Sequence, residues 1–205
     1  MRLLGGGRER RGTPADLLVV GLGNPGEQYA RTRHNVGAEV VAELAARGGA
    51  TLKRSKERAL TGEVTRVGRR LALAFPQTFY NESGNAALLL TRRYGIDDPH
   101  LVVVVHDELD LPPGTIRVKL GGGLAGNNGL KSIKAHLKTD DFVRIRLGVG
   151  KPPGSMQGAD HVLRPPGKAE RVELDIAIRE AADAVELLAA DGVDAAMNRY
   201  NTRAS

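Results

Sequence analysis

The sequence of 205 residues contains no cysteine. This absence excludes disulfide bonds, thiolate zinc sites and a cysteine nucleophile, and it is compatible with a reducing compartment. Tryptophan is also absent and only 3% of the residues are aromatic, which argues against stacking platforms for single-stranded nucleic acid. No apolar run approaches the roughly 20 residues that a membrane-spanning helix requires. The length, with 41% hydrophobic and 26% charged residues, instead indicates one globular domain.

Charge is unevenly distributed along the chain, whose formal net charge is +6. Residues 115–151 contain eight lysines and arginines against two aspartates, whereas residues 168–194 contain three basic residues against eight acids. This separation predicts a surface for a polyanion such as nucleic acid, although a basic run can also be a solvated face. Residues 1–15 are rich in glycine and arginine and lack a signal-peptide core, so we predict a disordered basic tail before a domain at 16–205.

Hydrophobic periodicity predicts strands that alternate with helices. Five consecutive apolar residues at 101–105 have the pattern of a central strand covered on both faces. Further strands are predicted at 17–22, 60–67, 71–75, 116–120 and 142–149, and helices at 35–48, 83–94, 129–137, 169–190 and 193–200. Because some connections are short, we predict a single α/β domain with a twisted, mixed β-sheet flanked by helices.

The first predicted strand runs into glycines 21, 23 and 26, spaced as in the G-x-G-x-x-G turn of dinucleotide-binding proteins. That turn opens directly into an apolar-faced helix, and an acid that binds ribose follows about 20 residues later. Here the segment after Gly26 has no apolar stripe, the helix begins only near Asn35, and Glu43 lies within the helix pattern. The glycines are therefore predicted to let the backbone turn where α/β sheets bind ligands, at a strand's carboxyl end.

Two ionisable residues, His34 and Asp107, follow predicted strands and are candidates for chemistry at that edge of the sheet. Asp107 could orient a histidine, join a metal site with its neighbours, or cap a turn. Adjacent residues of an extended chain point to opposite faces, which disfavours the metal site. His34 could be a solvated histidine or, paired with Asp107, could take a proton from water. No G-x-S-x-G motif is present, so a hydrolase would use activated water.

Polar residues near these positions have both functional and structural interpretations. Asn24, Asn81 and Asn128 could supply amide donors to an active site. Asn24 also suits a tight turn, Asn128 suits a helix N-cap, and Ser83 is predicted to cap the helix that follows it.

The predicted helix at 129–137 has two stripes. One is apolar, and the other consists of lysines at 131, 134 and 138, beginning after Asn128. Lys119 precedes the glycine-rich loop before this helix. The basic stripe predicts either a phosphate-facing element or a solvated helix face.

The chain closely resembles the bacterial-type peptidyl-tRNA hydrolases in five motifs: VGLGNPGEQYARTRHNVG, FPQTFYNESG, HDELDLPPGTIRVKLGGG, NNGLKS and FVRIRLGVGKPP. The resemblance extends from Leu17 to the C-terminus, and only the N-terminal tail falls outside it. It implies a cytoplasmic, usually monomeric α/β enzyme without a metal or other cofactor. Such an enzyme cleaves the ester between a peptide and the 3′-terminal adenosine of tRNA, which releases free tRNA and peptide.

The resemblance also implies roles for individual residues. His34 would be the general base that activates water, Asp107 its hydrogen-bonded partner, and Asn24 a contact that favours N-blocked substrates. The peptide and the terminal adenosine would contact a set of pocket residues: Tyr29, Phe79, Tyr80, Asn81 and Asn128. The tRNA phosphates would be bound by basic residues: Lys119, Arg146, Lys131 and Lys134.

This chain departs from the family's pattern near the predicted pocket. Tyr80 stands where methionine is frequent, Asn127 where histidine is common, and Leu124 and Ala125 replace the more usual His/Gly types. The alternative from another class is a non-catalytic RNA-binding protein on the same fold, with a nicotinamide oxidoreductase more distant. The joint presence of the candidate residues argues against lost catalysis: His34, Asp107, Asn24 and Asn128.

Overall fold

The computed structural model describes residues 14–202. Its seven-stranded mixed sheet, flanked by helices, confirms the predicted α/β class. The strands are β1 (Leu17–Gly21), β2 (Lys53–Ser55), β3 (Ala59–Arg66), β4 (Arg69–Pro76), β5 (Val102–Glu108), β6 (Ile116–Leu120) and β7 (Val143–Gly148). The helices are α1 (Val36–Arg47), α2 (Ser83–Arg93), α3 (Asn128–Leu137), α4 (Gly158–Val162), α5 (Lys168–Asp191) and α6 (Val193–Asn201).

The predicted tail falls mostly outside the described residues, which include only Pro14 and Ala15 of it. Ala15 is buried, and its N–H donates to the Tyr94 carbonyl at 3.0 Å. None of the helices within residues 14–202 is both long enough and apolar enough to cross a bilayer.

The sheet has the strand order β2-β3-β4-β1-β5-β7-β6. The four central strands, β4, β1, β5 and β7, are mutually parallel, whereas β2, β3 and β6 pair antiparallel at the two sides. A tight turn at Val67 and Gly68 joins β3 to β4, and both residues have positive φ, as a two-residue hairpin loop of type I′ requires. The parallel arrangement brings the carboxyl ends of β1 and β5 to the same edge of the sheet, which is where the candidate residues lie.

Alternating side chains divide the core between the two faces of the sheet. Val19 and Val103 belong to the cluster that includes residues of α1, α5 and α6. Val20 and Val104 belong to the cluster that includes residues of α2 and α3. Because both faces of β1 and β5 are buried, these strands contain continuous apolar runs, as expected for parallel strands between helical layers.

Helix α1 packs unusually close to the sheet through two glycines. A Cβ added at Gly37 would lie 2.2 Å from the Val105 carbonyl oxygen, and one at Gly21 would lie 2.1 Å from the Gly37 carbonyl oxygen. Neither distance is possible for a real side chain, so both positions require glycine for this approach. Gly21, the first glycine of the G-x-G-x-x-G spacing, thus lets α1 pack closely on β1. This packing brings the start of α1 against β5.

Several predicted boundaries and caps are corrected by the structure. β5 continues three residues beyond the predicted strand and includes Asp107, and both β2 and α4 were missed. Ser83 is the first residue of α2 rather than its N-cap, and its hydroxyl donates to the Tyr80 carbonyl at 2.8 Å. Asn128 is likewise the first residue of α3, while the Asn127 side chain accepts the capping bond from the Leu130 N–H.

Candidate active site

His34 and Asp107 meet at the carboxyl edge of the sheet. His34 lies on a short helical turn, Arg33–Asn35, that leads into α1, and Asp107 is the penultimate residue of β5. The close packing of α1 on β5 brings the His34 Nδ1 to 2.9 Å from the Asp107 Oδ2. The His34 side chain is 17% exposed and that of Asp107 only 4%, so the imidazole can reach solvent while the carboxylate is enclosed.

The surroundings of Asp107 favour its ionised form despite burial. Burial opposes ionisation, but the charge and hydrogen bond of His34, together with the hydrogen bond from Tyr80, lower the pKa of Asp107 below its ordinary value. A carboxylate can only accept, so the His34 Nδ1 carries the proton of this bond. The His34 Nε2 is consequently the ring nitrogen that can accept a proton when the histidine is neutral.

Tyr80 makes a second contact with the carboxylate. The Tyr80 hydroxyl donates to the Asp107 Oδ1 at 2.9 Å, and the Asn127 Nδ2 donates to the Tyr80 hydroxyl at 2.9 Å. The Tyr80 ring also stacks on the His34 imidazole, with 3.6 Å between ring centroids and 15° between planes. Two of the four departures from the family's pattern, Tyr80 and Asn127, are therefore bonded to each other beside Asp107.

Asn24 is held by hydrogen bonds to Asn35 and Tyr80. The sequence did not indicate the role of Asn35. The Asn35 Oδ1 accepts from the Asn24 N–H, and the Asn35 Nδ2 donates to the Asn24 carbonyl, both at 2.9 Å. The Asn24 Oδ1 accepts from the Tyr80 N–H at 2.8 Å. This orientation assigns the Asn24 Nδ2, which has no protein partner within residues 14–202, as the group available to a ligand.

Two cavities meet at His34. The first, of about 320 Å³, extends past Asp107 towards Glu108 and Asp110. The second, of about 270 Å³, is lined by Asn24 and by four residues predicted to bind substrate: Phe79, Tyr80, Asn81 and Asn128. His34, Tyr80 and Asn128 line both cavities. The histidine thus lies at the junction of the two cavities.

Tyr29, another predicted pocket residue, lies apart from this group. It ends the short turn Glu27–Tyr29 and lines neither cavity. Its carbonyl accepts from the buried Thr32 hydroxyl at 2.8 Å, which shapes the backbone that leads to His34.

Sequence reasoning also missed the wall formed by α4. Ala159 and Val162 line both cavities, yet α4 follows a glycine- and proline-rich stretch with no helical periodicity. Arg33, the residue before His34, holds the segment that follows α4 in place. Its guanidinium donates twice to the Glu170 carboxylate, at 2.5 and 2.6 Å, and to the Arg164 carbonyl at 3.0 Å.

The predicted phosphate-binding residues lie on β6, β7 and α3. Lys131 and Lys134 are exposed on α3, and the Lys134 Nζ is 2.6 Å from the Asp140 Oδ2. Arg146 is less exposed and forms an ion pair with the buried Glu108 at 3.0 Å. Lys119 is half-buried on β6. Lys138, the third predicted stripe lysine, lies beyond the last helical residue of α3, in a left-handed conformation.

The glycine-rich loop between β6 and α3 is held by hydrogen bonds from the Arg144 side chain. This buried guanidinium donates to the carbonyls of Gly122 and Gly123, at 3.0 and 2.6 Å, and also to that of Gly121. Further along the loop, Ala125 has a φ of +49°, a left-handed conformation that costs a non-glycine residue roughly 1–2 kcal/mol. The loop thus combines an anchored base with a strained tip that lines the first cavity.

Within the described part of the chain, no group of three or more histidine, aspartate or glutamate side chains is placed to hold a metal ion. His106, a neighbour of Asp107, is buried, and its Nδ1 donates to the Asp107 carbonyl at 2.7 Å. Burial lowers the pKa of His106, which therefore stays neutral near pH 7.

Comparisons with known proteins identify the family of this chain. The sequence profile of the family described as "Peptidyl-tRNA hydrolase" matches residues 18–205. The peptidyl-tRNA hydrolase of Rhodococcus erythropolis is 52% identical over 185 residues, covering 90% of this chain and 97% of that protein. That of Frankia alni is 50% identical over 184 residues, covering 90% and 93%. The crystal structure of the Acinetobacter baumannii peptidyl-tRNA hydrolase superposes with a TM-score of 0.85 at 39% identity, covering 92% and 96%. This chain therefore belongs to the peptidyl-tRNA hydrolase family.

Proposed function

We propose that this protein hydrolyses the ester between an N-blocked aminoacyl or peptidyl group and the 3′-terminal adenosine of tRNA. The observation that carries the proposal is the 2.9 Å contact between His34 and Asp107 at the junction of two cavities. Family membership gives the class of substrate, and this geometry supports His34 as the base.

The proposed reaction begins with a water molecule next to the His34 Nε2. The imidazole takes a proton from water as the oxygen attacks the ester carbonyl carbon. The C–O bond to the 3′-oxygen of the adenosine then breaks, and the imidazolium returns its proton to that oxygen. Asp107 stabilises the imidazolium and keeps one tautomer, the role a buried carboxylate has beside a general base. The histidine and the carboxylate supply all the proton transfers, so the proposal includes no metal ion and no cofactor.

Amide groups are proposed to bind the substrate around this centre. The Asn24 Nδ2 would contact the substrate near the ester and favour a blocked amino group. Asn81 and Asn128 are exposed and line the second cavity, so their amides can contact the peptide or the terminal adenosine. Phe79 is 58% exposed on the same wall and offers a ring face to a base or an apolar side chain. Tyr80 contributes its ring to both cavities, and Tyr29 acts at a distance, through the turn before His34.

The tRNA backbone is proposed to extend from the site onto the basic residues of β6, β7 and α3. Lys119 and Arg146 are proposed to hold the 5′-phosphate, with Lys131 and Lys134 contacting the backbone. Cations that neutralise phosphates give salt-dependent affinity without sequence specificity. Peptidyl-tRNAs share the tRNA body and the terminal adenosine but differ in sequence and in peptide. An enzyme that acts on all of them therefore requires recognition of the phosphate backbone without sequence specificity. We further propose that the enzyme acts as a monomer in the cytoplasm.

The test is release of free tRNA from N-acetyl-aminoacyl-tRNA in the presence of EDTA, with unblocked aminoacyl-tRNA as the control. We expect cleavage of the blocked substrate alone. His34→Ala should lower turnover by about 10²–10⁴-fold while tRNA affinity stays within about twofold, because the imidazole moves protons rather than binding the tRNA body. Salt-sensitive tRNA binding by the unaltered protein without any cleavage would favour the non-catalytic RNA-binding alternative. Loss of cleavage only when EDTA is added would contradict the metal-free mechanism.

A further inference from the structure

Asp107 has two carboxylate oxygens, and each has a different donor. His34 donates to Oδ2 and the Tyr80 hydroxyl to Oδ1, both at 2.9 Å. With both oxygens bonded, the carboxylate plane has one favoured rotation about its Cβ–Cγ bond. The imidazole on one oxygen therefore has an orientation that depends on the phenol on the other.

The direction of the phenol's proton is fixed by Asn127. The Asn127 Nδ2 can only donate, so at this contact the Tyr80 oxygen is the acceptor. The single hydroxyl proton is then directed to Asp107. Burial and the nearby Asp107 charge raise the pKa of Tyr80 well above its ordinary value, so the hydroxyl keeps its proton throughout the neutral range.

The Tyr80 ring is itself held in place. Its backbone N–H donates to the Asn24 Oδ1, and its edge packs so tightly over Gly129 that a Cβ there would lie 2.6 Å from a ring carbon. The face of the Tyr80 ring packs on His34, whose ring lies nearly parallel to it with 3.6 Å between the ring centroids. Tyr80 thus contacts the base, its carboxylate partner and the asparagine predicted to bind substrate.

We propose that Tyr80 is a positioning residue that fixes Asp107 and His34 in one relative orientation, with Asn127 directing its proton. The inference rests on the proposed function of His34 and extends it. Tyr80 acts through Asp107 and need not touch the reacting atoms. Its hydroxyl also shares the negative charge of Asp107, which limits how strongly the carboxylate attracts the imidazolium proton.

The main variant is Tyr80→Phe, which keeps the ring stacked on His34 and removes only the hydroxyl. We expect kcat to fall about ten- to a hundredfold, as for loss of a hydrogen bond to a charged group, with KM changed less than about twofold. The acid limb of the kcat/KM profile should move to higher pH, because an Asp107 without the phenol's bond attracts the imidazolium proton more strongly. Other ionisable groups that face the pair are unaltered in this variant: His106, Glu108 and Asp110.

Two further variants separate positioning from packing. Asn127→Ser keeps a hydroxyl that can cap α3 but removes the donor to Tyr80, so it should shift the pH profile in the same direction by a smaller amount. Tyr94→Phe removes the hydroxyl of another buried tyrosine, located at the end of α2 away from the cavities, and should leave kcat and the pH profile unchanged.

The inference and the proposed function fail in different ways. The ¹⁵N and ¹H signals of the His34 imidazole report its hydrogen bond to Asp107 without any turnover, and Tyr80→Phe should shift the signal of the Nδ1 proton. An unchanged Nδ1 proton signal and kcat in folded Tyr80→Phe would overturn the positioning role, even if the wild-type protein is a hydrolase. A rise in KM at constant kcat would also overturn it, and would make the Tyr80 hydroxyl a substrate contact rather than a positioning group. A wild-type protein without hydrolysis, but with the shifted Nδ1 proton signal in the variant, would instead refute the proposed function alone.

Discussion

Two regions of the molecule differ in how their polar groups are held. The first, here called the His34 site, consists of His34, Asp107, Tyr80 and Asn24, and its groups are fixed by protein hydrogen bonds and mostly buried. The second, the basic surface, consists of Lys119, Lys131, Lys134 and Arg146, whose charges either face solvent or pair with single acids. Chemistry at one ester requires fixed atoms, whereas contact with a long polyanion requires only charge density.

Arg146 lies at the border between the two regions. Its ion-pair partner, Glu108, is buried. Glu108 directly follows Asp107 on β5, so this ion pair connects the basic surface to the His34 site. Removing the guanidinium would leave a buried carboxylate without its cation, a situation that typically destabilises a protein. Arg146 is therefore the residue at which loss of tRNA binding and loss of stability would be hardest to separate, so Lys119 is the better test of the basic surface.

The substitution expected to change turnover most, while leaving tRNA affinity unchanged, is Asp107→Asn. The amide can donate to the His34 Nδ1 and favour the wrong tautomer, so turnover should fall by about 10²–10⁴-fold. Affinity for uncharged tRNA should be unchanged, because the basic surface is intact. Single-turnover cleavage and filter binding measure the two quantities. A parallel loss of tRNA affinity would show that the regions are coupled.

An intermediate effect is expected for Lys119→Ala. Loss of one phosphate contact should lower the slope of log K against log salt concentration by about 0.7–0.9, while cleavage of saturating substrate continues at the wild-type rate. Binding titrations at several salt concentrations check this slope. A reduced single-turnover rate at saturation would place Lys119 in the chemistry of the His34 site instead.

The smallest effect should distinguish two lysines on the same helix. The Lys134 charge is offset by Asp140 at 2.6 Å, whereas among residues 14–202 the Lys131 Nζ has only a long, 3.5 Å contact with the neutral Asn128 side chain. Lys131→Ala should weaken tRNA binding about two- to fivefold, in the range of an exposed charge contact, and Lys134→Ala less. Competition binding of the two variants at low salt provides the comparison. Equal losses would mean that the Asp140 pair opens when tRNA binds.

Prediction from the sequence succeeded where hydrophobic periodicity was strong. The buried run of β5 and the alternation within β6 identified these strands, because burial on one or both faces leaves a pattern in the residues themselves. β2 has the polar sequence Lys-Arg-Ser and α4 has five residues after a glycine- and proline-rich stretch, so neither contains such a pattern. Their formation depends on neighbouring strands and on tertiary contacts.

The site was predicted in part. The structure brings His34 and Asp107 together as the sequence indicated, because His34 lies on the connection after β1, Asp107 lies at the carboxyl end of β5, and these two strands are parallel neighbours. The capping role of Asn127 was assigned to its neighbour, because capping depends on which residue has extended backbone angles, and only the structure shows that Asn127 does, at φ −65° and ψ 117°. The bond from Tyr80 to Asp107 joins positions 27 residues apart, and no local pattern encodes it.

The contact between Gly21 and Gly37 limits how this family member can vary. A single added methyl group at either position would separate α1 from the sheet, and the turn that holds His34 precedes α1 directly. Mutational tolerance should therefore be lowest at two residues that never touch a substrate, and higher across much of the surface that does. A selection for activity would record both glycines as invariant, although their contribution is the room that they leave for a backbone carbonyl.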